Sequence, residues 1–324
     1  MIEAMTTVRL SFLFTALTAC LPLAGQTYKD PNQPLEKRVD DLLSRMTLEE
    51  KSSQLLSASP AIDRLGVPAY DWWNECLHGV ARAGRATVFP ETIGMAATWD
   101  TALLFRAATA ISDEARAKHH EFVRRGKRGI YQGLTFWTPN INLFRDPRWG
   151  RGMETYGEDP YLTSRMAVQF IRGLEGDDPK YLKTVATAKH YAVHSGPEAG
   201  RHTFDAVVAD RDLEETYLPQ FEAAVKEGGA YSVMCAYNSV DGQPACASTR
   251  LLQDILRKKW AFQGYVVSDC GAIGDIYLQH KFAATAEQGV GASARHQLAV
   301  AGGDRHLLEP RLELGRGPQS QRLA

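Results

Sequence analysis

From Val39, apolar positions Val39, Leu42, Leu43 and Met46 recur at three- and four-residue intervals, which predicts a helix. Thr47, with Glu50 three residues on, has the form of a capping box, so a second short helix should start there. Asp100 stands ahead of Leu103, Leu104, Ala107 and Ile111, the stripe of a longer surface helix. The second half of the chain alternates. Residues 184–188 predict a strand, 213–225 a helix, 230–236 a strand and 264–268 another; between the last two, Ser248 can cap a helix bearing Leu251, Leu252, Ile255 and Leu256. Strands alternating with helices at this spacing predict an α/β fold with a parallel sheet, most simply a (β/α)8 barrel of the TIM type. An open doubly wound sheet is the alternative, but no glycine-rich strand-to-helix turn of the dinucleotide-binding kind occurs.

The first apolar run, residues 10–24, follows Arg9 and is too short to span a bilayer. It reads as the hydrophobic region of a secretory signal covering 1–25. A buried helix there is disfavoured by polar Gln26-Thr27-Tyr28-Lys29-Asp30 and by Pro31 and Pro34. Leu17-Thr18-Ala19-Cys20 has the form of a lipoprotein cleavage box, which would put a lipid anchor on Cys20; cleavage near Gly25 is the alternative. The expected location is secreted or periplasmic, with no other membrane contact. With 37 basic and 38 acidic residues the net charge is −1, so there is no electrostatic case for a nucleic-acid partner. Once Cys20 is set aside, Cys76, Cys235, Cys246 and Cys270 remain. Only Cys235 and Cys246 are close in sequence, and they allow either a disulfide or two buried thiols. No cysteine or histidine cluster has zinc spacing, and no metal or cofactor is predicted. The oligomeric state leaves no mark on the sequence.

A barrel carries its chemistry where the strands end at their C-terminal face. The polar residues there are Lys189 and His190 after the first predicted strand, Tyr237 and Asn238 after the second, and Asp269 after Tyr265-Val266-Val267-Ser268. Asp269 would face the barrel mouth, unless it merely caps the next helix or closes an ion pair. Lys189 and His190 are neighbours, and successive strand side chains point to opposite faces, so both reach one pocket only if the strand breaks there. The segment 139–151 is dense in arginine, aromatics and turn formers. It could hold an arginine fork against hydroxyls or a carboxylate, although Asp146, Glu154 and Glu158 offer its arginines ordinary partners. Trp72, Trp73 and Trp137 could stack on the C–H face of a sugar or simply fill the core.

Taken together these segments resemble glycoside hydrolase family 3 over about residues 41–287. The resemblance rests on Asp41-Leu42-Leu43-Ser44-Arg45-Met46-Thr47-Leu48-Glu49-Glu50-Lys51, Trp73-Asn74-Glu75-Cys76-Leu77-His78-Gly79, the 145–151 segment, Ala188-Lys189-His190, Met234-Cys235-Ala236-Tyr237-Asn238 and Val267-Ser268-Asp269, in the family's order. It implies a retaining, exo-acting hydrolase that releases a β-linked sugar from the non-reducing end of an oligosaccharide or glycoside. Asp269 matches the family's nucleophile, which forms a covalent glycosyl-enzyme resolved by water. Arg151, Lys189 and His190 match residues that grip the glycone hydroxyls, Tyr237 matches the tyrosine beside the nucleophile, and Glu75, Trp137 and Met234 fall in the glycone-binding set. The Glu75 form of its motif resembles the β-xylosidase branch, as do 139–142 and 194–198. A carboxylate one methylene longer than aspartate would crowd out the hydroxymethyl group that glucose has and xylose lacks. β-Xylosidase activity, with or without α-arabinofuranosidase activity, is therefore expected, and β-glucosidase activity is the alternative.

The resemblance also implies a general acid/base on a second domain, an α/β sandwich, for which this sequence has no matching stretch. From there three expectations follow: a barrel domain over 26–287, incomplete at its C-terminal end, an aberrant tail over 288–324 of the kind a shifted reading frame yields, and a competing reading as a sugar-binding fragment that cannot turn over. A further reading, the β-N-acetylhexosaminidase branch with an Asp-His pair on a barrel loop, has only His194 and His202 as nearby candidates, and their surroundings do not match that branch.

Overall fold

The computed structural model describes residues 25–194, 196–295 and 298–299. The expected signal and its Cys20, and all of the expected tail beyond 299, lie outside the described residues. The chain divides into two compact units, Met1–Met46 and Thr47–Ala324. In the first, helix α1 (Leu35–Arg45) covers the expected stretch but begins earlier, directly after Pro34, and leaves Val39 and Leu43 exposed; Asp41 ties it to the preceding turn. Its carboxylate accepts the Tyr28 N–H at 3.0 Å and holds Arg45 at 2.7 Å.

In the second unit, Thr47 and Glu50 form the predicted capping box at the start of α2 (Leu48–Ser53). Two short antiparallel strands follow, β1 (Ala58–Ser59) and β2 (Tyr70–Asp71). Helix α3 (Thr92–Ala96) leads into α4 (Thr101–Arg124), capped by the Asp100 carboxylate on the Leu103 N–H. Then come β3 (Thr135–Phe136), α5 (Pro160–Glu175) and β4 (Val185–Tyr191), the last three residues longer than its apolar pattern. Helices α4 and α5 approach closely because residue 173 is glycine: a Cβ there would meet Ala108 Cβ and Phe105 O, both at 2.7 Å.

Beyond β4 lie β5 (Asp205–Ala206) and the expected 213–225 helix, which the structure corrects. A wide turn over Leu213–Tyr217 ends at Leu218, and α6 (Pro219–Lys226) restarts there. Pro219 has no N–H to continue the ladder and can only sit in a first turn. Strands β6 (Ser232–Cys235), β7 (Ser239–Val240) and β8 (Gln243–Pro244) follow, then α7 (Arg250–Lys259), which opens on the predicted Ser248 side chain and is wound with bonds such as Trp260 N–H to Ile255 O. Strand β9 (Tyr265–Ser268), α8 (Ala272–Leu278), α9 (Ala286–Ala294) and β10 (Leu298–Ala299) complete the order. Helix α9, capped by the Thr285 hydroxyl, runs across residue 287, so regular structure continues past the expected domain boundary and into a stretch whose sequence shows no periodicity.

One parallel sheet runs β3-β4-β6-β9-β10, and Asn74 bridges to Phe136 on its far edge. This is a barrel wall of the expected type, incomplete among the described residues. Strands β4, β6 and β9 are buried on both faces, as a parallel sheet flanked by helices requires. A separate three-stranded sheet, β5-β7-β8, lies just past the C-terminal ends of β4 and β6 in the chain.

Candidate active site

The C-terminal end of β9 delivers Asp269. Its N–H donates to Cys235 O at 3.3 Å, and its carbonyl accepts the Ala272 N–H at 3.0 Å as α8 begins. Gly271, at φ +80°, supplies the left-handed residue that lets strand pass to helix in two steps. Asp269 is 6 % exposed. Oδ1 accepts the Cys270 N–H at 2.8 Å, whereas Oδ2 is buried and accepts no hydrogen bond. A buried carboxylate oxygen left without a donor costs about 1–3 kcal/mol or more, so burial for stability does not account for it.

His190 explains why. Its Nε2 lies 3.4 Å from Asp269 Oδ2, which would be an ion pair if the ring were protonated. Burial, reinforced by the charge of Arg151, drives the imidazole well below its usual range, so the ring is neutral. The hydrogen-bond network assigns its tautomer. Asn142 Oδ1 accepts both His190 Nδ1–H and the His190 backbone N–H at 2.8 Å, and Arg151 Nη1 donates to Nε2 at 3.0 Å. Asn142 Nδ2 returns a bond to His190 O at 2.8 Å. Nε2 therefore carries no proton to donate to Asp269, and its lone pair is taken by Arg151.

Arg151 is held as a fork on Glu154, Nε to Oε1 at 2.8 Å and Nη2 to Oε2 at 2.7 Å. Burial would raise the Glu154 carboxyl, but Arg151 outweighs it and holds the group below its ordinary value. Lys189 is almost fully buried, and its Nζ makes no hydrogen bond to the described protein; Glu75 Oε2 stands 3.6 Å away. Its donors are thus oriented by a carboxylate but uncommitted. Glu75 Oε1 accepts Trp73 Nε1–H at 2.9 Å, and Trp73 stacks on Trp137 with centroids 5.1 Å apart. Trp137, Met234 and Val267 make a small apolar cluster of their own, separate from the main core, with Trp72 and Trp73 packed against it. Tyr237 lies beside Asp269; burial, then the neighbouring Asp269 charge, pushes its hydroxyl far above the usual phenol range, so it stays a donor.

The eight residues singled out from the sequence, Asp269, Glu75, Trp137, Arg151, Lys189, His190, Met234 and Tyr237, thus share one end of the barrel wall. Lys189 and His190 both reach it because the β4–β6 register shifts between Ala188 and Tyr191. His190 spends its ring nitrogens on Asn142 and Arg151, so what it offers a hydroxyl is limited. Asn238 is a strut: its amide bonds Ala192 O, Ser239 O and His194. Asn142 had no assigned role, although it lies in the quoted 139–151 segment. Cys235 and Cys246 form a disulfide, which pins the loop carrying Tyr237 to the end of β6. His202, 73 residues from Asp275 in sequence, pairs with it at 2.7 Å and lays its ring on Tyr237 with centroids 4.3 Å apart.

Comparison with known proteins agrees with this geometry. The model of the glycosyl hydrolase family 3 N terminal domain matches residues 39–300. A xylan 1,4-beta-xylosidase of Xylanibacter ruminicola is 51% identical over 285 residues, covering 86% of this chain and 33% of the relative. A beta-xylosidase/alpha-L-arabinofuranosidase of Medicago sativa subsp. varia is 42% identical over 312 residues, covering 86% and 39%. Among solved structures, a GH3 exo-beta-xylosidase in complex with a xylobiose aziridine probe superposes with a TM-score of 0.80 at 33% identity, over 92% of this chain and 40% of that one. A β-glucosidase of Erythrobacter marinus gives 0.76 at 26% identity, over 92% and 44%. The chain spans about a third of the length of the curated relatives it matches. The parallel wall, the strand-end carboxylate and these matches together show that the chain belongs to glycosyl hydrolase family 3.

Proposed function

We propose that this chain carries the glycone pocket and nucleophile of a retaining exo-β-xylosidase, with Asp269 attacking the anomeric carbon. The observation that carries the reading is the orphaned, buried Oδ2 of Asp269. It is held beside the phenol of Tyr237 and a neutral His190, in a pocket whose two cations each already have a carboxylate. Lys189 and Glu75 offer a donor and an acceptor to vicinal hydroxyls, and Trp137 and Trp73 offer an apolar wall to a ring's C–H face. Contacts that tighten as the ring takes on oxocarbenium character raise the rate as well as the affinity.

A retaining mechanism also needs a proton donor about 5–5.5 Å from the nucleophile. The nearby carboxylates have other tasks: Glu75 accepts from Trp73 and faces Lys189 as a glycone acceptor, Glu154 holds Arg151, and Asp275 holds His202. The proposal therefore places the acid/base outside the described residues. Export is part of the same reading; the Cys235–Cys246 disulfide supports an oxidising compartment, and the Cys20 anchor is its variant.

The experiment uses dinitrophenyl 2-deoxy-2-fluoro-β-xyloside, whose leaving group departs without protonation and whose fluorine slows release of the covalent intermediate. Peptide mapping should find the label on Asp269 and none in Asp269→Asn. A label elsewhere, or none, defeats the assignment. Nitrophenyl β-xyloside and β-glucoside, which depend more on the acid, then distinguish a working enzyme from a sugar-binding fragment, and xylose from glucose preference.

A further inference from the structure

The polar groups around Asp269 form two layers. In the inner layer Lys189, His190 and Asp269 itself are buried. An outer layer comes from the 197–204 loop, where the Arg201 and His202 side chains are 29% and 46% exposed. Both lean on Tyr237, which also neighbours Asp269: the His202 ring centroid is 4.3 Å and the Arg201 guanidinium carbon 5.9 Å from its ring centroid.

The loop is built to hold this position. Phe204 N–H closes onto Gly200 O at 2.8 Å, and Phe204 O accepts the Ser239 N–H at 2.9 Å, which locks the loop's end against the β5-β7-β8 sheet. Glu198 pairs with Arg201 and packs against Gly150, where a Cβ would meet its side chain at 3.2 Å. Asp275, nearly buried on α8, accepts His202 Nδ1–H at 2.7 Å. That bond fixes the tautomer and leaves Nε2 as an acceptor with no partner among the described residues. A buried carboxylate spent on orienting an imidazole that is half in solvent is poor value for stability alone.

We infer that Arg201 and His202 form the leaving-group subsite of this pocket, which takes the second ring of a β-linked xylo-oligosaccharide by donating from Arg201 and accepting at His202 Nε2. The inference rests on the proposed glycone pocket and extends it outward. A pocket that acts on a chain end holds the terminal ring at its buried base, so the next ring meets whatever stands one layer out. A neutral ring with vicinal hydroxyls suits a fixed donor beside a fixed acceptor.

Calorimetric titration of the full chain with xylose and with xylobiose tests this. Two added hydrogen bonds predict xylobiose binding about tenfold or more tighter than xylose. Arg201→Ala and His202→Ala should each erase much of that advantage while leaving xylose affinity unchanged. The inference is overturned if the advantage survives both substitutions, or if they weaken both sugars alike, which is the signature of a merely structural role. Absence of any xylose binding by the unsubstituted chain would instead defeat the glycone pocket itself, and the subsite with it.

Discussion

Replacing Glu175 by glutamine should leave the protein's stability unchanged near pH 5 and raise it substantially at pH 8. Glu175 ends α5 at the base of the parallel sheet, where Oε1 accepts the N–H groups of Ala186 at 3.0 Å and Tyr231 at 3.1 Å. Burial outweighs those two bonds and pushes the carboxyl from the ordinary 4.5 up to about 8. Between those two values the folded protein keeps a proton that the unfolded chain has already released. The stability tied to this group is therefore complete below the unfolded value and drains away as pH rises toward the folded one. Over the interval from pH 5 to pH 8 the loss comes to about 3–4 kcal/mol. Glutamine keeps an oxygen for the two N–H donors and cannot ionise, so the loss disappears. At about 2–4 °C per kcal/mol for a domain of this size, the variant's Tm at pH 8 should exceed the parent's by roughly 10 °C. Urea unfolding of both proteins at pH 5, 6, 7 and 8, followed by tryptophan fluorescence, gives the comparison. Parallel pH profiles would mean that the carboxyl is already ionised in the folded state, and the reasoning would be refuted.

Three further outcomes follow. His194, which burial holds to about 3, and His190, which burial and the Arg151 charge hold well below its usual range, should stay neutral in the fold; neither imidazole C2–H resonance should titrate between pH 8 and pH 5, and stability should fall as pH drops below about 6.5 at up to about 1.4 kcal/mol per unit for each. Cys246→Ser opens the Cys235–Cys246 link and should cost about 2–3 kcal/mol in denaturant unfolding under oxidising conditions, with no difference from the parent once both are reduced. Glu75→Asp withdraws a carboxylate from Lys189 and Trp73 and opens one methylene of space; titration should show weaker xylose binding and a glucose-to-xylose affinity ratio raised about tenfold.

Much of the architecture was legible because it is written locally. The Thr47–Glu50 box, the Asp100 cap and the β-branched run ahead of Asp269 each state their element within a few residues. The readings that needed correction share a cause. The pattern for β4 stops at Ala188 because Lys189 and His190 look like loop residues, yet they continue the strand into a pocket where Lys189 faces Glu75 and His190 is held by Asn142 and Arg151. Pro219 marked a break inside an otherwise good helical stripe. Helix α9 has little apolar periodicity because glycine and alanine fill it, and packing against α8 supplies what the pattern lacks. The His202–Asp275 pair, 73 residues apart, and the choice between a disulfide and two thiols depend on tertiary placement and had no local signature.

The charge arrangement around Asp269 bears on why these residues occur together. Lys189 has Glu75, and Arg151 has Glu154, so the pocket's two cations are compensated before any substrate arrives. What remains is Asp269, whose charge no cation in the group claims. His190 could have claimed it from 3.4 Å, and a protonated imidazole there would share the lone pair on Oδ2 that an anomeric carbon needs. Burial is the first obstacle to this, and Arg151 reinforces it in two ways: its positive charge disfavours a second one on the ring, and its Nη1–H occupies the nitrogen that would take the proton. Asn142 completes the arrangement by holding the other proton on Nδ1. Substituting Arg151 should therefore do more than remove a sugar contact. It would remove the charge that reinforces burial and free His190 Nε2 to protonate and pair with Asp269 more readily, so the rate of labelling by an activated fluoroxyloside should fall and acquire a dependence on pH that the parent lacks. A variant labelled more slowly but with no new pH dependence would show that Arg151 acts on the sugar alone.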